Sequence, residues 1–236
     1  MMIAANIISM TILFAVPLLL VAMGGMFSEH SGVINIALEG MMIIGALFAC
    51  FTLQGLDQSG FGPAHPQLSM FIAILVAGVT GMIFSLLLGF AAINLKADQT
   101  IGGTALNLMA PALVLFLVRI LANQNTLQMT TGDAASWFMI KKSTFGIKKN
   151  VDIGFLGETF IHKVYLATYI CILVFIVLSI LLYKTRFGLR LRSCGENPQA
   201  ADSLGINVYK MRYAGTTISG ALAGMGGFVY ALTTTN

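Results

Sequence analysis

The sequence predicts an all-α, polytopic transmembrane bundle with about six spans. Two observations carry this. Charged residues make up only 9% of the chain while 57% is hydrophobic. A soluble domain carries about a quarter charged residues, so these few cannot coat a water-facing globule. The apolar residues also come in uninterrupted runs, Ile3–Phe27 and Val164–Tyr183 being free of any formal charge. A span needs roughly 20 apolar residues to cross about 30 Å of hydrocarbon, and in lipid only a helix satisfies its own backbone.

Taken in order, the apolar segments are Ile3–Phe27, Gly32–Leu53, Leu68–Leu95, Thr100–Leu121, Val164–Tyr183 and Met211–Leu232. The first lacks the basic leader of a secretory signal and is too long for a signal core, so it reads as a retained span. Ser28–Ser31 is a very short connection, or else a break inside the membrane. Gln54–Gln67, rich in Gly and Pro, reads as a turn or loop. Lys96–Gln99 is a tight polar turn. Asn123–Lys163 is a long polar excursion, and Lys184–Lys210 a basic loop. Six cations, Lys184, Arg186, Arg190, Arg192, Lys210 and Arg212, hug the two helix ends at that last loop. The 123–163 stretch holds five lysines, four of them far from the helix ends, so by the near-end count of the positive-inside rule residues 184–210 face the cytoplasm, and 123–163 is then the extracytoplasmic loop. The whole chain, 1–236, forms one transmembrane domain.

The net charge of +4 belongs to this orientation rather than to nucleic acid, because no stretch interleaves basic and aromatic residues. Cys50, Cys171 and Cys194, like His30, His65 and His162, are scattered. They form neither a disulfide framework nor a metal spacing, so no metal is expected.

Three stretches could carry function. Ser31–Gly40 places Asn35 and Glu39 four residues apart, on one face if the stretch is helical. A carboxylate at membrane depth costs about 2.5–3.5 kcal/mol, so Glu39 must face protein, water or a partner. A polar wall of a translocation path and a polar tie between helices both meet that condition. Thr100, Thr104 and Asn107 recur at spacings of four and three. Amide and hydroxyl groups suit a neutral polar solute, and they equally suit interhelical hydrogen bonds. In the basic loop, Asn197 followed by Pro198 is a helix start, cap then proline. Gly205 is a helix stop. A short polar helix of about 198–204 results, better fitted to a protein groove than to a lipid surface. In the last segment Gly220 and Gly224 form a small-xxx-small pair for close helix packing.

The string Gly195-Glu196-Asn197-Pro198-Gln199-Ala200-Ala201, closed by Gly205-Ile206, resembles the coupling-helix region of the branched-chain-amino-acid, ribose and nucleoside permease family of ABC importers. Asn35-Ile-Ala-Leu-Glu-Gly40 and Ser219-Gly-Ala-Leu-Ala-Gly224 resemble the same family. Ser31–Gly40 and Gly103-Thr-Ala-Leu-Asn107 resemble its nucleoside branch most. The resemblance implies a permease subunit in the cell membrane that forms the pathway for a small polar solute, nucleosides before sugars or branched-chain amino acids. It implies a lipid-anchored binding protein outside, a second permease subunit that is a distinct paralogue, and cytoplasmic ATPase subunits whose groove receives the short helix. ATP would be hydrolysed there, since this chain lacks a Gly-x-x-x-x-Gly-Lys-Ser/Thr phosphate loop and needs no cofactor of its own. Relatives continue with further spans beyond the Gly-rich segment, so this chain is expected to be C-terminally short. An ion-coupled carrier or channel would call for more intramembrane acids or paired broken helices. A membrane enzyme would need a nucleophile–base pair or a metal cluster.

Overall fold

The computed structural model describes residues 2–123, 139–140 and 164–234. The long spans are α1 (Met2–His30), α2 (Leu38–Gln58), α4 (Pro66–Gly89), α5 (Gln99–Leu121), α6 (Leu166–Lys184) and α9 (Val208–Thr234); a one-turn helix, α3 (Phe61–Ala64), lies in the α2–α4 connection. Helix α4 runs on through a π-helical turn, Phe90–Asn94. Between α6 and α9 lie α7 (Arg186–Glu196) and α8 (Pro198–Ser203). Two residue pairs, β1 (Met139–Ile140) and β2 (Val164–Tyr165), meet antiparallel. The rest of the expected 123–163 excursion, Asn123 apart, lies outside the described residues.

Among the described residues five helices, α1, α2, α4 with its π turn, α5 and α6, are long and apolar enough to cross a membrane. The sixth expected span, α9, is as long but rich in Gly, Thr and Ser. Its place explains its composition. Helix α9 is the centre of the bundle, packed on α4, α1 and α2 together, so little of it needs to be soluble in lipid. Each neighbour presses on its own glycines. A Cβ on Gly224 would stand 3.2 Å from Cα of Gly81 in α4, and against the carbonyl of Ala77. A Cβ on Gly226 would strike Val21 of α1 at 2.5 Å, and one on Gly227 would meet Met42 of α2 at 2.5 Å from its Cα. Small residues let backbones touch where lipid supplies no hydrophobic drive for association. The expected packing role of Gly220 and Gly224 has this geometry, Gly220 lying on Gly81 and Ser85.

Helices α5 and α6 lie outside, against α2 and α1 respectively. Leu115, Phe116 and Ile120 on α5, and Leu173, Ile176 and Ile180 on α6, stand exposed. Such a surface is stable only in hydrocarbon or against another apolar chain.

The structure corrects two sequence expectations. The second span does not begin at Gly32. Gly32 has φ +84°, residues 33–36 have no regular structure, and α2 starts only at Leu38. Asn35 and Glu39 therefore do not share a helical face. The reason is local: Gly32 breaks the helix, and Asn35 Oδ1 accepts from the backbone N–H of Ala37 at 3.1 Å, a bond that competes with helix. The basic stretch after α6 is also more than a loop around one short helix. Thr185 caps α7, its hydroxyl accepting from the N–H of Gly188, and Gly188, Leu191 and Cys194 form its buried face. Their spacing of three was a helical signal in the sequence.

Candidate functional site

Two groups of residues stand out, one inside the bundle and one at its basic end. The inner group forms where the unwound segment 31–37 passes between α5 and α9. The N–H groups of Ser31, Gly32 and Val33 bond back to the end of α1, and side chains of α5 and α9 hold Ile34 and Asn35. Ile34 N–H donates to Gln99 Oε1 at 2.8 Å. The buried Asn35 donates through Nδ2 to Ser219 Oγ of α9 at 2.8 Å. The N–H of Gly40, one of the free donors in the first turn of α2, is taken by Asn107 Oδ1 at 2.6 Å. Asn107 then turns its Nδ2 to Glu39 Oε2 at 3.4 Å. One amide thus ties α5 to the start of α2 and holds a carboxylate in place.

Glu39 opens into a cavity of about 550 Å³ between α2, α5 and α9, lined also by Met42, Ala46, Leu115 and Tyr230. The wall is chiefly apolar, with Glu39, Tyr230 and Thr234 as its polar groups. An apolar recess with few convergent polar groups is the usual form of a small-molecule site. Of the five pathway candidates, Glu39 lines this cavity and Asn107 orients it. Asn35 sits apart, on Ser219. Thr100 and Thr104 are exposed on α5, and Thr104 Oγ1 is spent on its own backbone, bonding Thr100 O at 2.8 Å. Sequence reasoning missed Tyr230, and the only signal was an aromatic hydroxyl within a Gly-rich segment.

The second group is the short helix α8. Asn197 Oδ1 accepts from Ala200 N at 3.0 Å, and Pro198 fills the first helical position. The end is a Schellman closure: Gly205 N–H donates to Asp202 O at 2.8 Å and Ile206 N–H to Ala201 O at 3.1 Å. Gly205 takes φ +78° there. Gln199, Ala200, Glu196 and Asn197 face outward, whereas Ala201 is buried against the bundle. Leu204, left out of the sequence candidates, stands 80% exposed at the helix end. Gly195, just before α8, fits against the connector from α1. A Cβ there would stand 2.5 Å from His30 O and 3.3 Å from Gly32 N.

Cations gather at this end. Of the Lys and Arg among the described residues, Lys96, Lys184, Arg186, Arg190, Arg192, Lys210 and Arg212 lie on it, and Arg119, in the last turn of α5, lies at the other. The fold brings Lys96 to the cluster from a distant part of the chain. Burial pushes the Cys194 thiol up from its ordinary range, with a hydrogen bond from Ser193 and the nearby charge of Arg212 opposing.

A family profile described as branched-chain amino acid transport system / permease component matches residues 7–236. The chain is 44% identical over 231 residues to the guanosine ABC transporter permease protein NupQ of Bacillus subtilis (strain 168), covering 96% of this chain and 67% of that protein. It is 40% identical to the nucleoside ABC transporter permease protein NupC of Lactococcus lactis, covering 95% and 67%. It is 31% identical to the putative glucose ABC transporter permease protein TsgC13 of Haloferax volcanii, covering 95% and 62%. The chain thus spans about two thirds of the length of these relatives. No solved structure matches it. With its apolar spans around a glycine-lined central helix, the chain belongs to the family of ABC-type branched-chain amino acid transport system permease components.

Proposed function

We propose that this chain forms part of the pathway of an ATP-driven importer for nucleosides. The observation that carries the reading is the Asn107–Glu39 pair at the edge of an apolar recess. It offers a carboxylate acceptor, held by the Asn107 amide, beside apolar and aromatic surface, which suits a neutral solute with ribose hydroxyls and a flat base. The names of the two nucleoside-type relatives agree with it. The basic end faces the cytoplasm, because its cations sit close to the helix ends, where positive residues resist translocation, while four of the five lysines in 123–163 lie far from the ends of α5 and α6. It follows that residues 123–163 face outward, where a lipid-anchored binding protein would deliver solute.

Helix α8 is the docking element for a cytoplasmic ATPase pair, which alone carries ATP. Gln199 and Ala200 of α8, with the flanking Glu196, Asn197 and Leu204, make the contact, and buried Ala201, with Gly195 at the end of α7, joins the helix to the spans. Pro198 and Gly205 set its length. A second permease subunit completes the pathway.

The test is uptake of labelled nucleosides by vesicles holding the chain with its ATPase, companion permease and binding protein. Uptake of guanosine or another nucleoside that needs ATP, and that excess glucose or leucine leaves unchanged, is expected. Equal inhibition by glucose would overturn the nucleoside assignment. Replacing Leu204 by Asp should abolish solute-stimulated ATP hydrolysis while α8 stays folded. Unchanged stimulation would remove α8 from the docking role.

A further inference from the structure

The basic end of the bundle holds a second cavity, of about 260 Å³, separate from the one beside Glu39. Its wall includes Lys96 and Ala97 from the α4–α5 turn, Gln99 at the start of α5, and Val208, Tyr209 and Arg212 from the first turns of α9. Two cations line it and no carboxylate does. The Nε–H of Arg212 is buried and makes no hydrogen bond. Its guanidinium also lies over Gly32, where a Cβ would stand 3.4 Å from Nη2. Gln99 accepts from Ile34 N through Oε1, which leaves its two amide N–H donors to offer. Asp98, beside it in sequence, is committed to capping α5 through Thr100 N and Ile101 N. The charged side chains of the cavity wall are thus all cationic, Lys96 and Arg212. A phosphate oxyanion in the cavity would take charge-assisted bonds from Lys96 and the guanidinium of Arg212, the two cations of its wall.

We propose that this cavity binds a phosphate oxyanion, and that the phosphodiester headgroup of an anionic membrane lipid supplies it. The position favours a lipid over a free anion. The cavity lies at the ends of α4, α5 and α9, the depth at which headgroups meet basic residues. Phe90, Leu95 and Ile101, on the same turns, stand exposed and offer apolar surface for acyl chains. Neither the solute cavity nor helix α8 contributes to this site, so it stands independently of the transport reading.

Native mass spectrometry of the full chain, titrated with phosphatidylglycerol or phosphatidylcholine of identical acyl chains, tests it. Two cations at about fivefold each give phosphatidylglycerol a preference of roughly twenty- to thirtyfold. Lys96→Gln should reduce that preference about fivefold, and Arg212→Gln at least as much. Lys96 is exposed, so its variant folds even if the Arg212 variant does not. Lys184→Gln, an equal charge change outside the cavity, should leave the preference intact. Equal binding of both lipids, or an equal loss in the Lys184 and Lys96 variants, would overturn the site. Excess inorganic phosphate at constant ionic strength separates the two sources. Retained phosphatidylglycerol supports the lipid; its displacement overturns the lipid and assigns the recess to the free anion.

Discussion

Replacing Gly224 by Ala tests whether the small-residue seam of α9 holds the bundle together. The added Cβ would stand 3.0 Å from the carbonyl carbon of Ala77, closer still to its oxygen, and 3.2 Å from Cα of Gly81. All of these are backbone atoms of α4, so no side-chain rotation can make room. Ordinary carbon contacts are about 3.5–4.0 Å, so α9 must retreat from α4 by roughly 1 Å. That retreat loosens neighbouring contacts too, since Gly220 lies on Gly81 and Ser85 and Gly45 of α2 lies on Gly224. Overpacking of this kind costs about 1–3 kcal/mol. For a chain of this size the melting temperature should fall by about 2–10 °C, read by size-exclusion fluorescence after heating in detergent. Gly55→Ala is the matched control. Gly55 is exposed within α2 with no atom within 4 Å of its would-be Cβ, so the same substitution should stabilise by about 0.5–1 kcal/mol. If both variants shifted the melting temperature equally, steric closeness along α9 would not be what its glycines provide.

Further outcomes follow from the two sites. Asn107→Leu removes both the acceptor for Gly40 N and the donor to Glu39; nucleoside uptake should fall at least tenfold, about 1.4 kcal/mol, while co-purification with the ATPase persists. Asn197→Ala removes the cap on Ala200 N and should weaken α8 by about 1 kcal/mol, seen as reduced ATPase recovery in pull-downs with no change in chain expression. Cys194 is fully buried and its thiol is raised by that burial, so less of it is thiolate at pH 8 than in an exposed thiol. Maleimide labelling at that position should be slower than in unfolded chain at pH 8, and the gap should narrow as pH rises. Labelling as fast as that of an exposed thiol would contradict the burial of Cys194 on the inner face of α7.

Much of the fold was legible in the residues because hydrocarbon leaves few options. Charge-free runs such as Ile3–Phe27 and Val164–Tyr183 must be helices, and the α5 boundary agrees with expectation within one residue. Helix α8 was legible for a local reason, since Asn197, Pro198 and Gly205 carry their own start and stop signals. The candidate site was legible only in part. Asn35 and Glu39 look like a helical pair at a spacing of four, but a helix can be interrupted wherever other elements satisfy its backbone. Here Gln99 and Asn107 do so from 65 and 67 residues away along the chain, and Ser219, 184 residues away, holds the Asn35 side chain. Likewise the sequence places Lys96 in a minor turn, and only the docking of that turn on α9 makes it a partner of Arg212. The sequence alone determined that the chain spans a membrane and where α8 begins and stops, because each is set by neighbouring residues or by the solvent. Which polar groups meet, and which glycines touch which helix, was decided by tertiary packing alone, because those contacts are short-ranged in space and distant along the chain.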